Sequence, residues 1–296
     1  MRRDRDAGVF TDPARVHPIA HHGTHFDVPG IHLAEPSPQR TPVIFQAGAS
    51  PRGQEFAARH GEAIFINGLT PELTRRTTDS IRAKAAAIGR PADSVKILTL
   101  ATVIVAETDE EAYARFDEYR AYVSLEGALA LYGGWSGVDL STLDPDEPLA
   151  YVDTDAARSA LSIFTKADPT RQWTPRDIAD YVGIGGIGAV IVGSATTVAD
   201  ELERWVEVGG VDGFNFAYVV SPGTFEDIVT HLIPELRRRG RVWDRYPEGT
   251  LRDRLSGRPT VPEWHPAHPY RGAYAGARSA ADGGAALTTV PAGGER

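Results

Sequence analysis

From about residue 42 to residue 240, short runs of apolar residues alternate with longer segments of mixed polarity. Runs of this length predict buried strands, and the segments between them predict helices. The predicted strands lie at residues 43–47, 63–66, 95–106, 189–193 and 211–220, and the predicted helices at 51–60, 70–89, 108–123, 197–208 and 224–239. This alternation predicts an α/β fold in which helical crossovers connect parallel strands.

Three segments lie outside the alternation. Residues 1–41 are a polar lead-in rich in His and Pro, and we expect them to be irregular. Residues 124–187 form a long insertion between predicted elements, also expected to be irregular. From residue 273 to 296 the chain is rich in Ala and Gly without periodicity, which predicts a disordered tail. The body of the fold is therefore predicted to span residues 42–272.

Composition narrows the classes of function. The chain has 296 residues, of which 42% are hydrophobic, and a net charge of -9. That charge argues against nucleic-acid and anionic-membrane partners, because both reward clustered Lys and Arg. No apolar run approaches the roughly 18 residues that span a bilayer, and the N-terminus lacks the apolar core of a signal peptide. Without cysteine there is no disulfide and no thiolate nucleophile. A cytoplasmic protein is the default expectation.

The segment from Val43 to His60 is the most informative part of the chain. An apolar run is followed by the small residues Gly48 and Ala49, then by Ser50, a preferred helix N-cap, and by a proline at the first helical position. This order predicts a strand, a tight turn and a helix whose backbone N–H groups point at one place, which suits a phosphate. The alternative is an ordinary capped helix, and the motif alone does not separate the two.

Hydroxyl groups follow other predicted strands, at Thr108, Ser194 and Ser221. In a β/α barrel the carboxyl ends of the strands carry the site, so these residues would share one rim with Ser50. The alternative is that they cap the helices that follow. Acidic residues 109–111 are expected to be a solvated helix start.

Two further motifs do not carry the chemistry that they suggest. Residues 183–188 read G-x-G-x-x-G, but they follow a predicted helix and precede a strand, whereas a dinucleotide fingerprint follows a strand and opens a helix. We expect a flexible connection there. His17, His21, His22 and His25 invite a zinc interpretation, but Pro18 breaks the helix that such a pair would need. A loop in contact with solvent or a ligand pocket is expected instead.

Five further segments are informative when they are taken together: Val16–Ile19, Glu35–Pro42, Gln46–Gly53, Gly133–Ser141 and Gly249–Leu255. They resemble the bacterial luciferase-like flavin monooxygenases, in the branch of the nitrilotriacetate and dibenzothiophene-sulfone monooxygenases. The likeness covers about residues 7–272.

The resemblance implies a (β/α)8 TIM barrel that uses reduced FMN to activate O₂ and to insert one oxygen atom into a small organic substrate. It implies a separate NAD(P)H-dependent flavin reductase as partner, and a homo-oligomer is expected. It also implies that the turn holds the FMN phosphate, through Gly48, Ala49, Ser50, Arg52 and Gly53.

One departure from the family is expected to matter. Family members are longer at the N-terminus, so the four main strands counted here, at 43–47, 95–106, 189–193 and 211–220, correspond to about the last four β/α units of the barrel. We therefore expect a truncated chain whose catalytic residues are unknown and whose activity on its own is open. The alternative is a non-catalytic half-barrel that binds a phosphate-bearing ligand or a partner barrel half.

Overall fold

The computed structural model describes residues 2–19, 21–32, 34–149, 164 and 171–270. The chain divides into two compact units, one of Val43–Glu248 and one that combines Met1–Pro42 with Gly249–Arg296. The predicted division at residues 41–42 and 272–273 stays a prediction. The tail predicted to be disordered, residues 273–296, lies outside the described residues.

Most of the regular structure lies in the larger unit. The smaller unit contains the short antiparallel pair β1 (His21–His22) and β2 (Asp27–Val28). The strands of the larger unit are β3 (Phe45–Ala47), β4 (Ala63–Ile66), β5 (Lys96–Ala106), β6 (Ala189–Ser194) and β7 (Gly213–Ala217). Its helices are α1 (Pro51–His60), α2 (Pro71–Ala87), α3 (Asp109–Arg120), α4 (Leu125–Ser136), α5 (Pro175–Gly185), α6 (Ala195–Glu207), α7 (Gly223–Asp227) and α8 (Ile233–Arg238), with a π-helical turn Ile228–Leu232 between the last two. The smaller unit also contains helix α9 (Leu251–Ser256).

All five strands of the larger unit are parallel. Strand β5 pairs with β4 along residues 96–99 and with β6 along residues 101–106, while β7 pairs with residues 98–102. The β5 residues that pair with β7 overlap with those that pair with β4 and with those that pair with β6. Because a strand has only two edges, β7 lies along one edge of β5, and β4 and β6 lie one after the other along the opposite edge. The α/β prediction with a parallel sheet is confirmed. The count of four main strands left out β4, because its four residues are a weak signal in the sequence.

The helices α1, α2, α6 and the π-helical turn cover one face of this sheet. Ile64 and Ile97, neighbours on that face, are fully buried and pack with Ile81 of α2 and Trp205 of α6. The opposite face is less covered: Phe65 stacks there on Phe45, with ring centroids 5.3 Å apart, and Phe45 remains largely exposed.

The insertion at residues 124–187 is more regular in its described part than expected. Ser124 caps α4, which ends at Gly137 in the left-handed conformation, and Thr174 caps α5 through a complete capping box with Asp177. The two helices bury a second cluster around Tyr132, with Trp173 and Phe164 in edge-to-face contact. The sequence predicted a helix just before residue 183, but neither α4 nor its contact with α5.

In the smaller unit, two segments that carried the family resemblance meet at one side chain. The guanidinium of Arg252, fully buried, donates hydrogen bonds to the carbonyl oxygens of Gln39, Thr41 and Pro42 at 2.7–3.0 Å. The Arg252 backbone N–H donates to the side chain of Gln39. These hydrogen bonds compensate part of the cost of burying the charge.

Candidate functional site

The carboxyl ends of the parallel strands lie at one edge of the sheet, and the candidate residues lie there with them. Ser50 follows β3, Thr108 follows β5, Ser194 ends β6 and Ser221 follows β7. The structure thus places the predicted residues at a common edge, as expected for strands that run in parallel. Their local geometries differ, and those differences separate a binding turn from ordinary caps.

The turn at Ser50 has the predicted strand–turn–helix geometry. Ser50 is the N-cap of α1, and its Oγ accepts a hydrogen bond from the N–H of Gly53 at 3.1 Å. Gly48 has a φ of +113°, which side-chain-bearing residues rarely adopt. A Cβ on Gly53 would lie 2.7 Å from the carbonyl oxygen of Gly48, so this position also requires glycine. Both glycines are therefore needed for the backbone to fold closely around the N-terminus of α1.

Donors at this turn are left open. The backbone N–H groups of Ala49 and Ser50 donate to no acceptor among the described residues. The carbonyl of Ala49 is fixed by the side-chain amide of Gln54 at 2.8 Å, and Gln54 in turn accepts from the Ser80 hydroxyl at 2.7 Å. The first turn of α1 contains no acidic residue. Two donors and the positive end of a ten-residue helix thus converge at a turn whose own residues include no acidic side chain.

Arg52 extends into solvent beside this turn. Its side chain is 94% exposed and lies 3.9 Å from the carboxylate of Glu55. It lines a notch between α1 and α2 together with Phe56 and Arg59. The structure therefore brings Gly48, Ala49, Ser50 and Gly53 together, and leaves Arg52 at their rim.

The turn at Ser194 looks alike but is already occupied by an anion from the chain itself. The Asp109 carboxylate accepts hydrogen bonds from the Ser194 N–H at 2.6 Å and from the Thr197 hydroxyl at 3.1 Å. These bonds, the backbone one foremost, lower the pKa of Asp109. Asp109 begins α3, as predicted, but its bonds to the Ser194 turn were not predicted, because its partners lie 85 and 88 residues away and leave no local signal in the sequence.

At the remaining two strand ends the hydroxyl groups bond to the chain's own backbone. Thr108 accepts from the N–H of Glu111 at 3.2 Å, which is the cap that the sequence predicted. After β7, the hydroxyl that orders the turn is that of the buried Thr224, which accepts from the N–H groups of Val219 and Val220 at 3.2 and 3.1 Å. Sequence reasoning placed Ser221 at this strand end and Thr224 at the start of the helix that follows, and it missed the contact of Thr224 back to residues 219 and 220.

The glycines of the G-x-G-x-x-G segment serve packing. The segment closes α5 and precedes β6, as expected from its context. A Cβ on Gly185 would lie 2.3 Å from Val190, and one on Gly188 would lie 2.6 Å from Leu100. These distances show that α5 approaches the sheet too closely for side chains, and nothing in the geometry resembles a nucleotide-binding turn.

An apolar groove of about 440 Å³ lies beside the carboxyl end of β7. Its walls come from the junction of α3 and α4, from the end of α5 and from residues 219–220. Its lining includes the apolar side chains of Tyr122, Leu131 and Ile184. Sequence reasoning missed this groove, because its walls come from three separate parts of the chain.

The described residues hold no group of three or more His, Asp or Glu side chains placed to bind a metal ion. Of the four N-terminal histidines, His22 lies 2.7 Å from the carboxylate of Asp27 across the β1–β2 pair. Within the same part of the chain, no helix has both the length and the hydropathy needed to cross a membrane.

Comparison with known proteins gives the family. The family model described as luciferase-like monooxygenase matches residues 9–212. The dimethyl-sulfide monooxygenase of Hyphomicrobium sulfonivorans is 51% identical over 284 residues, which are 95% of this chain and 59% of that protein. The crystal structure of DmoA from Hyphomicrobium sulfonivorans superposes with a TM-score of 0.81 at 52% identity, over 93% of this chain and 58% of that one.

A riboflavin lyase, RcaE, crystallised with modified FMN and riboflavin, superposes with a TM-score of 0.76 at 36% identity, over 91% of this chain and 59% of that one. The chain thus spans somewhat less than three fifths of the length of these relatives. The fold, the strand–turn–helix at Ser50 and these similarities agree: the chain belongs to the luciferase-like monooxygenase family.

Proposed function

We propose that this chain works as the oxygenase of a two-component, FMN-dependent monooxygenase, which inserts one oxygen atom from O₂ into a small organic substrate. The observation that carries the proposal is the open N-terminus of α1 at Ser50 in a chain of this family. A separate NAD(P)H-dependent flavin reductase would supply the reduced FMN. When bound, the reduced flavin supplies the electrons that activate O₂.

The turn fits a phosphate group. The absence of side chains at Gly48 and Gly53 leaves a backbone cradle that a Cβ would distort or fill. The N–H groups of Ala49 and Ser50 are unpaired donors, and backbone donors at a helix N-terminus are what a phosphate dianion requires. We propose that these four residues hold the FMN phosphate and that Arg52 adds positive charge from the rim.

The chain's own residues would bind and orient the cofactor. The donors at Ser50 fix its phosphate end at the edge where β3 finishes. The groove beside β7 lies at the same edge of the sheet and provides apolar surface for a small substrate and for the exclusion of water. The polar residues at the other strand ends keep the helices α3 and α6 in place and do not contact the cofactor or the substrate.

The cofactor part is tested by titrating the purified chain with FMN and, separately, with riboflavin, which lacks the phosphate. We expect FMN to bind at least about tenfold more tightly, since a charge-assisted phosphate contact contributes about 1.5–3 kcal/mol. Ser50→Ala should weaken FMN binding and leave riboflavin binding unchanged, because it removes only the cap that shapes the turn.

The matched control is Ser194→Ala, which removes a helix cap at the strand end occupied by Asp109. It should cost similar stability without affecting either ligand. Equal affinities for FMN and riboflavin, or equal losses of FMN affinity in Ser50→Ala and Ser194→Ala, would show that the phosphate does not bind at this turn.

The oxygenase part is tested by adding a flavin reductase, NADH and ¹⁸O₂. Dimethyl sulfide is the first substrate to examine, because a relative named for it is 51% identical. Label in a sulfide-derived product supports the proposal. NADH consumption that ends only in hydrogen peroxide, with FMN bound and every sulfide recovered unchanged, contradicts it.

A further inference from the structure

The carbonyl oxygen of Ala49 and the N–H of Ser50 belong to the same peptide group. This peptide is trans, so its C=O and its N–H point in opposite directions. The carbonyl accepts a hydrogen bond from the side-chain amide of Gln54 at 2.8 Å. Ala49 is half-buried and Ser50 is exposed. The contact that holds the carbonyl toward Gln54 therefore also holds the Ser50 N–H away from it, toward the open end of the turn.

The side-chain amide of Gln54 is itself held in one orientation. The Ala49 carbonyl accepts hydrogen bonds and cannot donate them, so the NH₂ group of Gln54 must face it and the amide oxygen faces the other way. That oxygen accepts from the Ser80 hydroxyl of α2 at 2.7 Å. A serine inside a helix can donate back to a carbonyl of its own helix, whereas Ser80 donates across to α1. Ser80, Gln54 and Ala49 thus form a hydrogen-bonded relay from α2 to the turn.

The turn at Ser194 is oriented in a different way. Four positions after the cap, α1 has Gln54 and α6 has Val198, and the buried side chain of Val198 offers no donor. The N–H of Ser194 is oriented from the front by its acceptor, the carboxylate of Asp109. The N–H of Ser50 has no acceptor among the described residues, and the relay orients its peptide from behind.

We propose that Gln54 and Ser80 are positioning residues for the phosphate of FMN, because they hold the Ala49–Ser50 peptide with its N–H toward the ligand. This role rests on the proposed function, since it concerns the same turn. Without the relay the peptide is free to rotate, and Gly48 directly before it adds little resistance. Rotation would turn the Ala49 carbonyl oxygen, an acceptor, toward the phosphate oxygens, which are also acceptors. The relay therefore orders the turn before the ligand arrives, which lowers the cost of binding.

The test compares the affinities of the whole chain for FMN and for riboflavin, and the ratio of the two measures the contribution of the phosphate. Gln54→Met keeps the length and the helix propensity of the side chain but donates no hydrogen bond. It should lower the preference for FMN at least about threefold and leave riboflavin affinity unchanged, which also shows that the variant is folded. Ser80→Ala leaves the Gln54 donor in place without its support, so the preference should fall by less.

The two changes should not be additive. In the double variant, Ser80→Ala has no amide left to release, so the preference for FMN should equal that of Gln54→Met alone. Thr78→Val is the matched control on the same helix. It removes a hydroxyl that donates to the Gly209 carbonyl at 2.9 Å, and it should lower the melting temperature without changing the preference for FMN.

The outcomes separate the relay from the phosphate site. A preference for FMN that persists in Gln54→Met, or that falls equally in Thr78→Val, shows that the relay does not position the turn, while the phosphate site stands. Additive losses in the double variant show that Gln54 and Ser80 act separately, which also contradicts the proposal. If the unmodified chain binds FMN and riboflavin equally, the phosphate site itself is wrong and the relay has nothing to position.

Discussion

Two turns at the carboxyl edge of the sheet, one at Ser50 and one at Ser194, have the same construction and different contents. Each joins a strand to a helix through a serine N-cap, and each follows a glycine close to the cap. At Ser194 the carboxylate of Asp109 accepts from the Ser194 N–H and the Thr197 hydroxyl, whereas the first turn of α1 after Ser50 contains no acidic residue. One helix N-terminus is thus neutralised within the fold and the other is left for an external anion.

This difference shows what a strand–turn–helix motif needs in order to be a binding site. The helix dipole and the serine cap are common to both turns, so neither one identifies a site. What separates them is whether the chain supplies its own anion. Since an anion at a helix N-terminus is favourable from either source, a turn already paired with a carboxylate has little to gain from a ligand.

The largest expected effect comes from the far end of α1. Arg90, which is 4% exposed, donates to the carbonyl oxygens of Ala58 at 2.6 Å and Gly61 at 2.9 Å, and burial lowers its pKa to about 10. Arg90→Met leaves those carbonyls and the neighbouring Glu62 without this cation. We expect a loss of about 2–4 kcal/mol in the free energy of unfolding, measured by urea denaturation.

The same variant sharpens the comparison of the two turns. If Arg90 fixes α1 from its C-terminal end, the open donors at Ser50 lose their position and FMN binding weakens along with stability. Arg76→Met, on an exposed face of α2, is the control and should change neither quantity. Unchanged FMN affinity in a clearly destabilised Arg90→Met would show that the turn is positioned independently of this contact.

A pair of glycine substitutions separates the two turns directly. In Gly53→Ala the new Cβ meets the Gly48 carbonyl at 2.7 Å, while in Gly193→Ala it meets Thr197 at 2.7 Å and Asp109 at 2.9 Å. Both should lower the melting temperature. Only Gly53→Ala should weaken FMN binding, by at least about tenfold, because it displaces the backbone of the open turn. Similar losses of FMN affinity in the two variants would mean that the Ser194 turn also contacts the ligand.

The sequence predicted one turn well and the other poorly, for a physical reason. At Ser50 the glycine, the cap and the proline lie within a few residues of each other, so the local order of residue types determines the geometry. At Ser194 the deciding residue, Asp109, belongs to another strand end, and only the pairing of β5 with β6 brings the two together. The same limit applies to the sheet, where β4 and β6 share one edge of β5, and to Thr224, whose role depends on how the chain leaves β7.

The contribution of Asp109 to stability should depend on pH. Its pKa is lowered in the folded chain, so its carboxylate stabilises the fold at pH values above the pKa of an unfolded aspartate, about 3.9, and this contribution is lost as the pH falls through the lower, folded value. Asp109→Asn should therefore be less stable than the unmodified chain near neutral pH, and the difference should shrink below about pH 4.

The measurement is the urea midpoint of both proteins between about pH 7 and about pH 3. Because other carboxylates titrate in the same range, the informative quantity is the difference between the two proteins at each pH. Thr108→Ala removes a cap that does not titrate, and its deficit should stay constant over the range. If the stability difference between Asp109→Asn and the unmodified chain is also independent of pH, the charge of the Asp109 carboxylate does not contribute to stability.

The smallest effect tests the comparison from the opposite direction. Asp109→Ala removes the internal anion and leaves the Ser194 N–H and the Thr197 hydroxyl without it, so the second turn becomes like the first. Inorganic phosphate should then bind weakly there, with millimolar or poorer affinity, and should raise the melting temperature by about 1 °C relative to sodium chloride of equal ionic strength.

To exclude binding at the Ser50 turn, the comparison is made with Gly53→Ala in both backgrounds. A phosphate effect that appears with Asp109→Ala and persists with Gly53→Ala belongs to the Ser194 turn. If none appears, an open helix N-terminus is not sufficient, and the close backbone approach at Gly48 and Gly53 distinguishes the binding turn.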